Sequence, residues 1–453
     1  MRAQRAKSSR EAALEIAHRL QRAGFPAFWV GGCVRDVLLG REPGDYDIAT
    51  SALAEQVEQL FKRTVPVGRK FGVMVVIEGA RQFQVATFRA EADYQDGRHP
   101  ERVAFGDAKA DARRRDFTVN GLFYDPVRGE LHDWVGGEAD LRSKTIRTIG
   151  SPAKRFAEDH LRLLRAVRFA AQLDFSLEAG TFAALKANEA KIKTISTERV
   201  REELVKLFRP PHAWRGLELL RESGLLEQVL PEIAATVTCE QSPDFHPEGT
   251  VFNHLQRMLE HLPPDPDPSL PWAVLLHDVA KPVTASADPK TGSIHFYGHE
   301  KLGAEMTEKI LDRLRFPRKQ TEEVVKAVRW HMQFSDAMQM RKSTLRRLLL
   351  RPTFPLELEL HRLDCLGSHG RLDVYDFLVA QAKELEQQPQ IRPPLLKGDD
   401  LIALGMKPGP VLGALLAEIR EKQLQDELTT RTEARQWARK RLAEPSRAIH
   451  RTR

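Results

Sequence analysis

The sequence predicts an α+β chain, in which a small head of mixed sheet and helices precedes an all-helical remainder. Three observations carry this. Short β-branched and aromatic runs bounded by Gly or Pro are confined to the first 150 residues. After Pro152 the apolar residues recur every three and four positions. Clusters of Pro and Gly cut that helical tract into pieces.

The segments 1–20 are basic but lack a continuous apolar core and a small-residue cleavage site, which predicts an amphipathic helix and not a signal peptide. AFWVGG, DYDIAT, VMVVIEG and QFQVATFR read as strands; ALAEQVEQLFKR and ADARRRDFTVNGLF have helical spacing between them. Beyond Pro152, DHLRLLRAVRFAAQL and TERVREELVKLF are helical, and RPPHAW, LPPDPDPSLP, RFPRK, RPPLLKGDD and KPGP mark breaks. Four parts are expected: a head over 1–150, a helical neck over 151–210, a His/Asp-rich helical domain over 211–385 and a helical tail over 386–453. Gly405, Pro408 and Gly409 fit a turn between tail helices. At 453 residues the chain is too long for one ordinary core.

The composition, 42% hydrophobic and 29% charged, is globular, and no apolar run approaches the ~20 residues of a membrane span. Cys33, Cys239 and Cys365 form no CxxC pair, which points away from disulfides and thiolate zinc and towards a reducing cytoplasm. The formal charge of +7 says less than its distribution. Arginines cluster at 113–117, 155–169 and 341–351. The first two are expected to follow a phosphate backbone and the third to be a solvated helix face.

The densest stretch is WVGGCVRDVLLGREPGDYDIAT, 29–50. On a strand, Asp45 and Asp47 share a face, because side chains alternate with period two. Paired carboxylates there can hold hard cations such as Mg²⁺, one activating an attacking hydroxyl and the other stabilising leaving pyrophosphate. Gly31 and Gly32, between a strand and a helix, let the backbone approach a triphosphate. Arg35, one turn on, offers a charge-assisted contact. An isolated Asp-x-Asp is weak evidence, and the order of the whole string makes it specific.

This string resembles the class II tRNA nucleotidyltransferase and bacterial poly(A) polymerase family, of the polymerase-β-like superfamily. Residues 87–105, with Asp96, Arg98 and His99, are similar to its flexible loop. RRDFTVNGLFYDP (114–126) is similar to its second motif, with Val119 and Gly121 where the family usually has Ile and Ala. Residues 136–150 resemble the segment closing the head, and 157–173 and 197–208 the two neck motifs. The resemblance covers about the first half of the chain, in the family's order. It implies selection of CTP or ATP by protein side chains. Asp159 and Arg162 match the residues that bond the base edge, Arg165 and Arg168 lie near the nucleotide, and Arg115 faces the triphosphate. An Asp accepts from an exocyclic amine and an Arg donates to ring acceptors. Their separation of three predicts one shared helical face, where the bland alternative is a surface ion-pair ladder. Asp116 is expected to orient Arg115 or to be catalytic, and Asp111 and Asp36 to be structural.

A second constellation runs through the middle: His254, His277 and Asp278, His299, His331 and Asp364. Imidazoles and carboxylates from separate helices can converge on a transition metal or Mg²⁺ and support phosphoester hydrolysis. The order, with LLHDVAKP and GHE, resembles the HD-domain metal-dependent phosphohydrolases. That implies a site for Mg²⁺, Mn²⁺ or Ni²⁺ and phosphatase or 2′,3′-cyclic phosphodiesterase activity toward RNA ends. His295, His361 and His369 are alternative ligands. The tail (395–424) resembles the short C-terminal helical segment of these enzymes.

The leading expectation is Mg²⁺-dependent transfer of CMP and AMP from CTP and ATP to a tRNA 3′ end, completing or repairing CCA. A poly(A) polymerase, or an enzyme adding only CC or only A, shares these motifs. Of another class are an HD-type phosphohydrolase whose head only binds RNA, and a non-catalytic nucleic-acid scaffold. The scaffold leaves the carboxylate pair unexplained, and no membrane partner is expected.

Overall fold

The computed structural model describes residues 8–68, 72–90, 105–243, 246–291, 293–387 and 394–443. Asp96, Arg98 and His99 of the expected flexible loop lie outside them. The chain forms two compact units. One is built on residues up to Cys239 with Leu255–Asp265 and Ile310–Phe316. The other comprises Glu240–His254, Pro266–Lys309 and the chain from Pro317.

The first unit opens with helix α1 (Ser9–Arg22), started by a capping box in which Ser8 and Glu11 satisfy each other's backbone N–H. Its period-four apolar residues Ala12, Ala13, Ile16, Ala17 and Leu20 are all buried. The strands are β1 (Ala27–Val30), β2 (Asp47–Thr50), β3 (Thr64–Gly68), β4 (Val73–Glu78), β5 (Arg81–Thr87), β6 (Phe123–Asp125) and β7 (Glu130–His132). They form one mixed sheet of order β3-β4-β5-β2-β1-β6-β7, in which only β2 and β5 run parallel. One face packs Val30, Ala49, Phe88 and Phe123 with Phe28 into a core. The register pairs Val30 with Asp47, so the first carboxylate-bearing residue of β2 stands beside the end of β1. Helices α2 (Gly32–Leu38), α3 (Ala54–Leu60), α4 (Ala108–Arg113) and α5 (Gly137–Arg142) complete the head.

Three expectations change here. β3, β6 and β7 escape a sequence reading because β3 carries Pro66 in its middle and β6 and β7 are only three residues long. The helical reading of ADARRRDFTVNGLF holds only to Arg113. Phe117 is extended and bridges Thr148, Thr118–Asn120 is a single 3-10 turn, and Phe123 enters the sheet. Asp45 precedes β2 and is not on it.

The neck comprises α6 (Pro152–Glu158), α7 (Arg162–Leu173), α8 (Ala179–Lys186) and α9 (Thr197–Leu207), followed by α10 (Ala213–Ser223), α11 (Leu225–Val229) and α12 (Pro231–Ala234). α7 buries Leu163, Leu164, Val167, Ala170 and Ala171 and stops at Asp174, which takes the left-handed conformation of a C-cap. A two-residue parallel pair, β8 (Thr145–Ile146) with β9 (Ser176–Leu177), interrupts the expected all-helical tract.

The second unit is helical apart from the short hairpin β10 (Ser286–Ala287) and β11 (Ile294–His295). Its helices are α13 (Val251–Glu260, which continues past His254), α14 (Leu270–Leu276), α15 (Lys281–Thr284), α16 (His299–Arg313), α17 (Arg318–Trp330), α18 (Lys342–Leu349), α19 (Phe354–Gly367) and α20 (Asp373–Gln387). α14 is buried at every position, as its all-round apolar sequence requires, and packs against α17 and α19. The tail helices α21 (Gly398–Ile402), α22 (Pro410–Leu424) and α23 (Arg431–Ala443) enclose their own core around Leu401, Ile419 and Ala438. Gly405 and Gly409 lie between α21 and α22. The arginine cluster of α18 is not a merely solvated face: Arg346 pairs with Asp426 at 2.8 Å and Arg347 with Glu421 at 2.5 Å. Among the described residues no helix is long and apolar enough to cross a membrane.

Candidate functional site

In the head, burial alternates along Asp45, Tyr46 and Asp47. Tyr46 turns inward onto Trp29, with ring centroids 4.8 Å apart, and both carboxylates turn outward. The β1 to α2 connection passes beside them through Gly31, whose φ is +74°. A Cβ at Gly31 would come within 3.0 Å of the Arg115 guanidinium, so the glycine provides both the turn and the space for that cation. Arg115 lies over the Phe123 ring at 5.1 Å and pairs with Asp111 at 3.0 Å. The pair Asp45 and Asp47 is electrostatically unfavourable by itself. Burial, and then the charge of Asp45, push the Asp47 carboxyl up to about 6, against the opposing pull of Arg115. A divalent cation would relieve both effects, so these residues fit one.

Behind the carboxylates, cations and anions alternate from α2 into the neck. Arg35, buried on α2, donates to Asn120 Oδ1 (2.8 Å) and pairs with Asp36 (2.8 Å), so it meets the second motif from behind. Asn120 Nδ2 donates to Asp116 (3.2 Å), Asp116 pairs with Arg165 (2.6 Å), and Glu203 of α9 takes Arg165 (3.6 Å) and Arg168 (2.5 Å). Burial would raise the Asp116 pKa, but Arg165 outweighs it and holds the carboxyl at about 2. Arg35, Arg165 and Arg168 also surround the Phe169 ring at 5.4, 5.2 and 4.0 Å.

These contacts correct three expectations. Asp111, and not Asp116, orients Arg115; Asp116 holds Arg165. Asp159 and Arg162 do not share a helical face, because Asp159 is the extended residue between α6 and α7. Asp159 pairs with Arg199 (2.8 Å) and Arg162 with Glu158 (2.5 Å), so the ion-pair ladder between them is also absent. Within the second arginine cluster, Arg155 donates to the carbonyls of Arg113 and Arg114, and Arg162 to that of Arg114. Gly121 has a physical account, since an alanine Cβ there would meet Val135 at 2.7 Å. Sequence reading missed Asn120, Glu158, Arg199 and Glu203: Arg199 and Glu203 meet partners 40 and 35 residues away, while Glu158 pairs at helical spacing with Arg162 and was simply passed over.

In the second unit all six predicted residues converge. His254 Nε2 lies 3.0 Å from Asp364, and His277 Nε2, His299 Nε2 and His331 Nε2 lie 3.1, 3.4 and 3.8 Å from Asp278. Three rings are fixed alike. His277, His299 and His331 donate Nδ1–H to the carbonyls of Val274, Phe296 and Val328, each three residues back. A carbonyl only accepts, so Nδ1 carries the proton and Nε2 offers a lone pair inward. His299 Nε2 and His331 Nε2 consequently face each other at 3.2 Å. His277 Nε2 is buried and out of line for a hydrogen bond with Asp278 despite their 3.1 Å separation. Burial lowers the His331 pKa to about 3. Converging imidazole Nε2 atoms and a buried carboxylate fit a divalent transition metal. Lys281 adds a 2.7 Å pair to Asp278 and is held by Gln241. His295 instead stacks on Tyr297, His361 stacks on Phe334, and His369 accepts from Arg371 N–H.

Three families match the chain in order: the poly A polymerase head domain over residues 27–147, the probable RNA and SrmB-binding site of polymerase A over 174–236, and the HD domain over 249–366. These three matches follow one another along the chain, the order in which the motifs of the head, the neck and the His/Asp-rich domain occur. Among its relatives, the CCA-adding enzyme of Bacillus pumilus is 44% identical over 218 residues, 48% of this chain and 54% of that protein. The CCA-adding enzyme of Geobacillus kaustophilus is 44% identical over 228 residues, 50% and 56% of the two chains. The chain thus spans about half the length of these relatives. The crystal structure of the Bacillus stearothermophilus CCA-adding enzyme in complex with CTP matches 96% of this chain and 98% of its own, at 27% identity and a TM-score of 0.73. The Thermotoga maritima CCA-adding enzyme complexed with tRNA shares the fold, with a TM-score of 0.60 at 19% identity over 97% of each chain.

Proposed function

We propose that the chain transfers CMP and AMP from CTP and ATP to the 3′ end of tRNA, completing or repairing CCA. The observation that supports this most is the carboxylate pair Asp45 and Asp47 beside the Gly31 turn, onto which Asp111 folds Arg115. Asp45 and Asp47 would hold Mg²⁺, which when bound supplies charge for hydroxyl activation and pyrophosphate departure. Gly31 and Gly32 leave room for a triphosphate, and Arg115 meets its charge. Arg35 acts through Asn120. Asp159 and Arg162 present acceptor and donor to the base edge once they exchange Arg199 and Glu158 for it. Arg165 and Arg168 remain tied to Asp116 and Glu203 and brace that face.

The four imidazoles of the HD domain favour a second reading, a phosphohydrolase acting on RNA-end phosphoesters. His254, His277, Asp278, His299, His331 and Asp364 would hold Mg²⁺, Mn²⁺ or Ni²⁺, which supplies Lewis acidity when bound. The working division is then head 1–150, neck 151–210, HD-like domain 211–385 and tail 386–453. Three buried cysteines, far apart in the sequence, suit a reducing compartment, the cytoplasm.

The test is incubation of purified protein and Mg²⁺ with tRNA ending before, within and after CCA, with CTP and ATP separately and together. Extension that stops at CCA is expected. Long A tracts, or addition of only CC or only A, would refute this product. Asp45→Ala or Asp47→Ala should cut incorporation at least about 10³-fold while RNA binding persists, and retained incorporation would remove the metal role.

A further inference from the structure

Of the four histidines in the HD cluster, three are held by main-chain carbonyls. His254 is held differently. Its Nδ1 lies 2.8 Å from Glu248 Oε1, and the same oxygen takes His246 Nδ1 at 2.9 Å. The His254 contact is short but bent from a straight N–H···O line. The Glu248 side chain is wholly buried, and its second oxygen has no partner. Such burial of a carboxylate is costly unless a nearby cation requires it. On its other side His254 directs Nε2 at Asp364, 3.0 Å away.

We propose that Glu248, steadied by His246, is a positioning residue for the metal site, fixing the proton of His254 on Nδ1 so that Nε2 faces the metal beside Asp364. The inference rests on the metal-centre reading above. It extends the ligand set outward along a carboxylate–histidine line, the arrangement by which outer partners orient imidazole ligands and raise their basicity. Main-chain carbonyls orient the other three rings without adding charge. Glu248 adds one, so it strengthens His254 as a donor as well as aiming it. His246 is only partly buried, so it closes the arrangement on the outer side.

The probe is Co²⁺, whose visible absorption reports imidazole ligation. It is titrated into metal-stripped full-length protein carrying Asp45→Asn and Asp47→Asn, which silence the head. His277→Ala in the same background serves as the reference for the cluster itself. If Co²⁺ binds no better than to the His277→Ala protein, the metal-centre reading fails, and this inference with it. If it binds, Glu248→Ala is expected to weaken affinity by about 10–100-fold. Glu248→Gln, which keeps an acceptor oxygen but loses the charge, is expected to recover part of that loss and to keep the band positions. Melting without metal checks that each variant folds; if Glu248→Ala does not, Glu248→Gln carries the comparison, and it must then bind at least threefold more weakly. Affinities for both variants within threefold of the parent would overturn the role of Glu248, with the metal centre left standing. Equal losses in Glu248→Ala and Glu248→Gln, with altered bands in both, would also overturn it in favour of direct ligation.

Discussion

Asp47 is a carboxyl that folding makes hard to ionise. Its pKa of about 6 lies above the ordinary 3.8, so the metal-free protein loses stability as pH rises through that interval and carries the full deficit above 6. Two units correspond to at most about 3 kcal/mol. Asp47→Asn should therefore raise the melting temperature of the metal-free protein at pH 7.5 and leave it nearly unchanged at pH 4. An equal rise at both pH values would contradict this account. Bound cation reverses the preference, so Mg²⁺ affinity and incorporation should both decline as pH falls below 6. Gly31→Ala belongs to the same scale. The substitution adds a Cβ to a residue at φ +74° and places it 3.0 Å from the Arg115 guanidinium. Activity should fall at least about tenfold, through misplacement of a single charged group, with the melting temperature lowered by only a few degrees. Wild-type rates would disprove the need for a glycine. The carboxylates and the glycines were legible in the sequence because spacing along one strand and one turn defines them. The partner of Arg115 was misread. Asp116 is adjacent in sequence but turned away, whereas Asp111, one helical turn earlier on α4, faces the guanidinium.

At the scale of elements, α2, the 3-10 turn at Thr118–Asn120, α7 and α9 are joined by a run of buried charges. Removing one member leaves its neighbours uncompensated. Asp116→Ala leaves Arg165 with only its longer pair to Glu203, and a cost of about 3 kcal/mol is expected. Chemical denaturation reads this directly, and a loss below about 1 kcal/mol would show the run to be dispensable. Arg162→Ala cuts a shorter tie. It should blur the choice between CTP and ATP more than it lowers turnover with either, as measured in competition, and an unchanged ratio would remove Arg162 from base selection. The helices of the neck were readable from their apolar period. The break at Asp159 was not, because the apolar spacing of DHLRLLRAVRF continues across it. The backbone departs from the helix there while its side chain meets Arg199, forty residues on. Likewise the second arginine cluster gave the right element without its partners. Composition counts charges but does not reveal that Asp116, Glu158 and Glu203 await them inside.

For the molecule as a whole, the head carboxylates and the HD cluster lie in different compact units, and each unit contains all of its own candidate ligands. His277→Ala with Asp278→Ala should therefore abolish phosphohydrolase activity and leave nucleotide addition within about twofold, since sites that share no partners are close to additive. Loss of both activities would refute the two-site reading. The order of domains was visible in the sequence, as was the set of six HD-domain residues, since those motifs are short and ordered. His246, Glu248 and Lys281 lay unremarked a few residues from them, where only the fold shows which side chains turn inward.

The clasp between neck and head has one more implication. Arg155 and Arg162 grip the carbonyls of Arg113 and Arg114, and every amino acid supplies that acceptor. Mutational drift should then be lopsided. Position 113 can change freely without loosening the clasp, while the two gripping arginines cannot, so a lineage may rewrite one surface of this joint and must preserve the other.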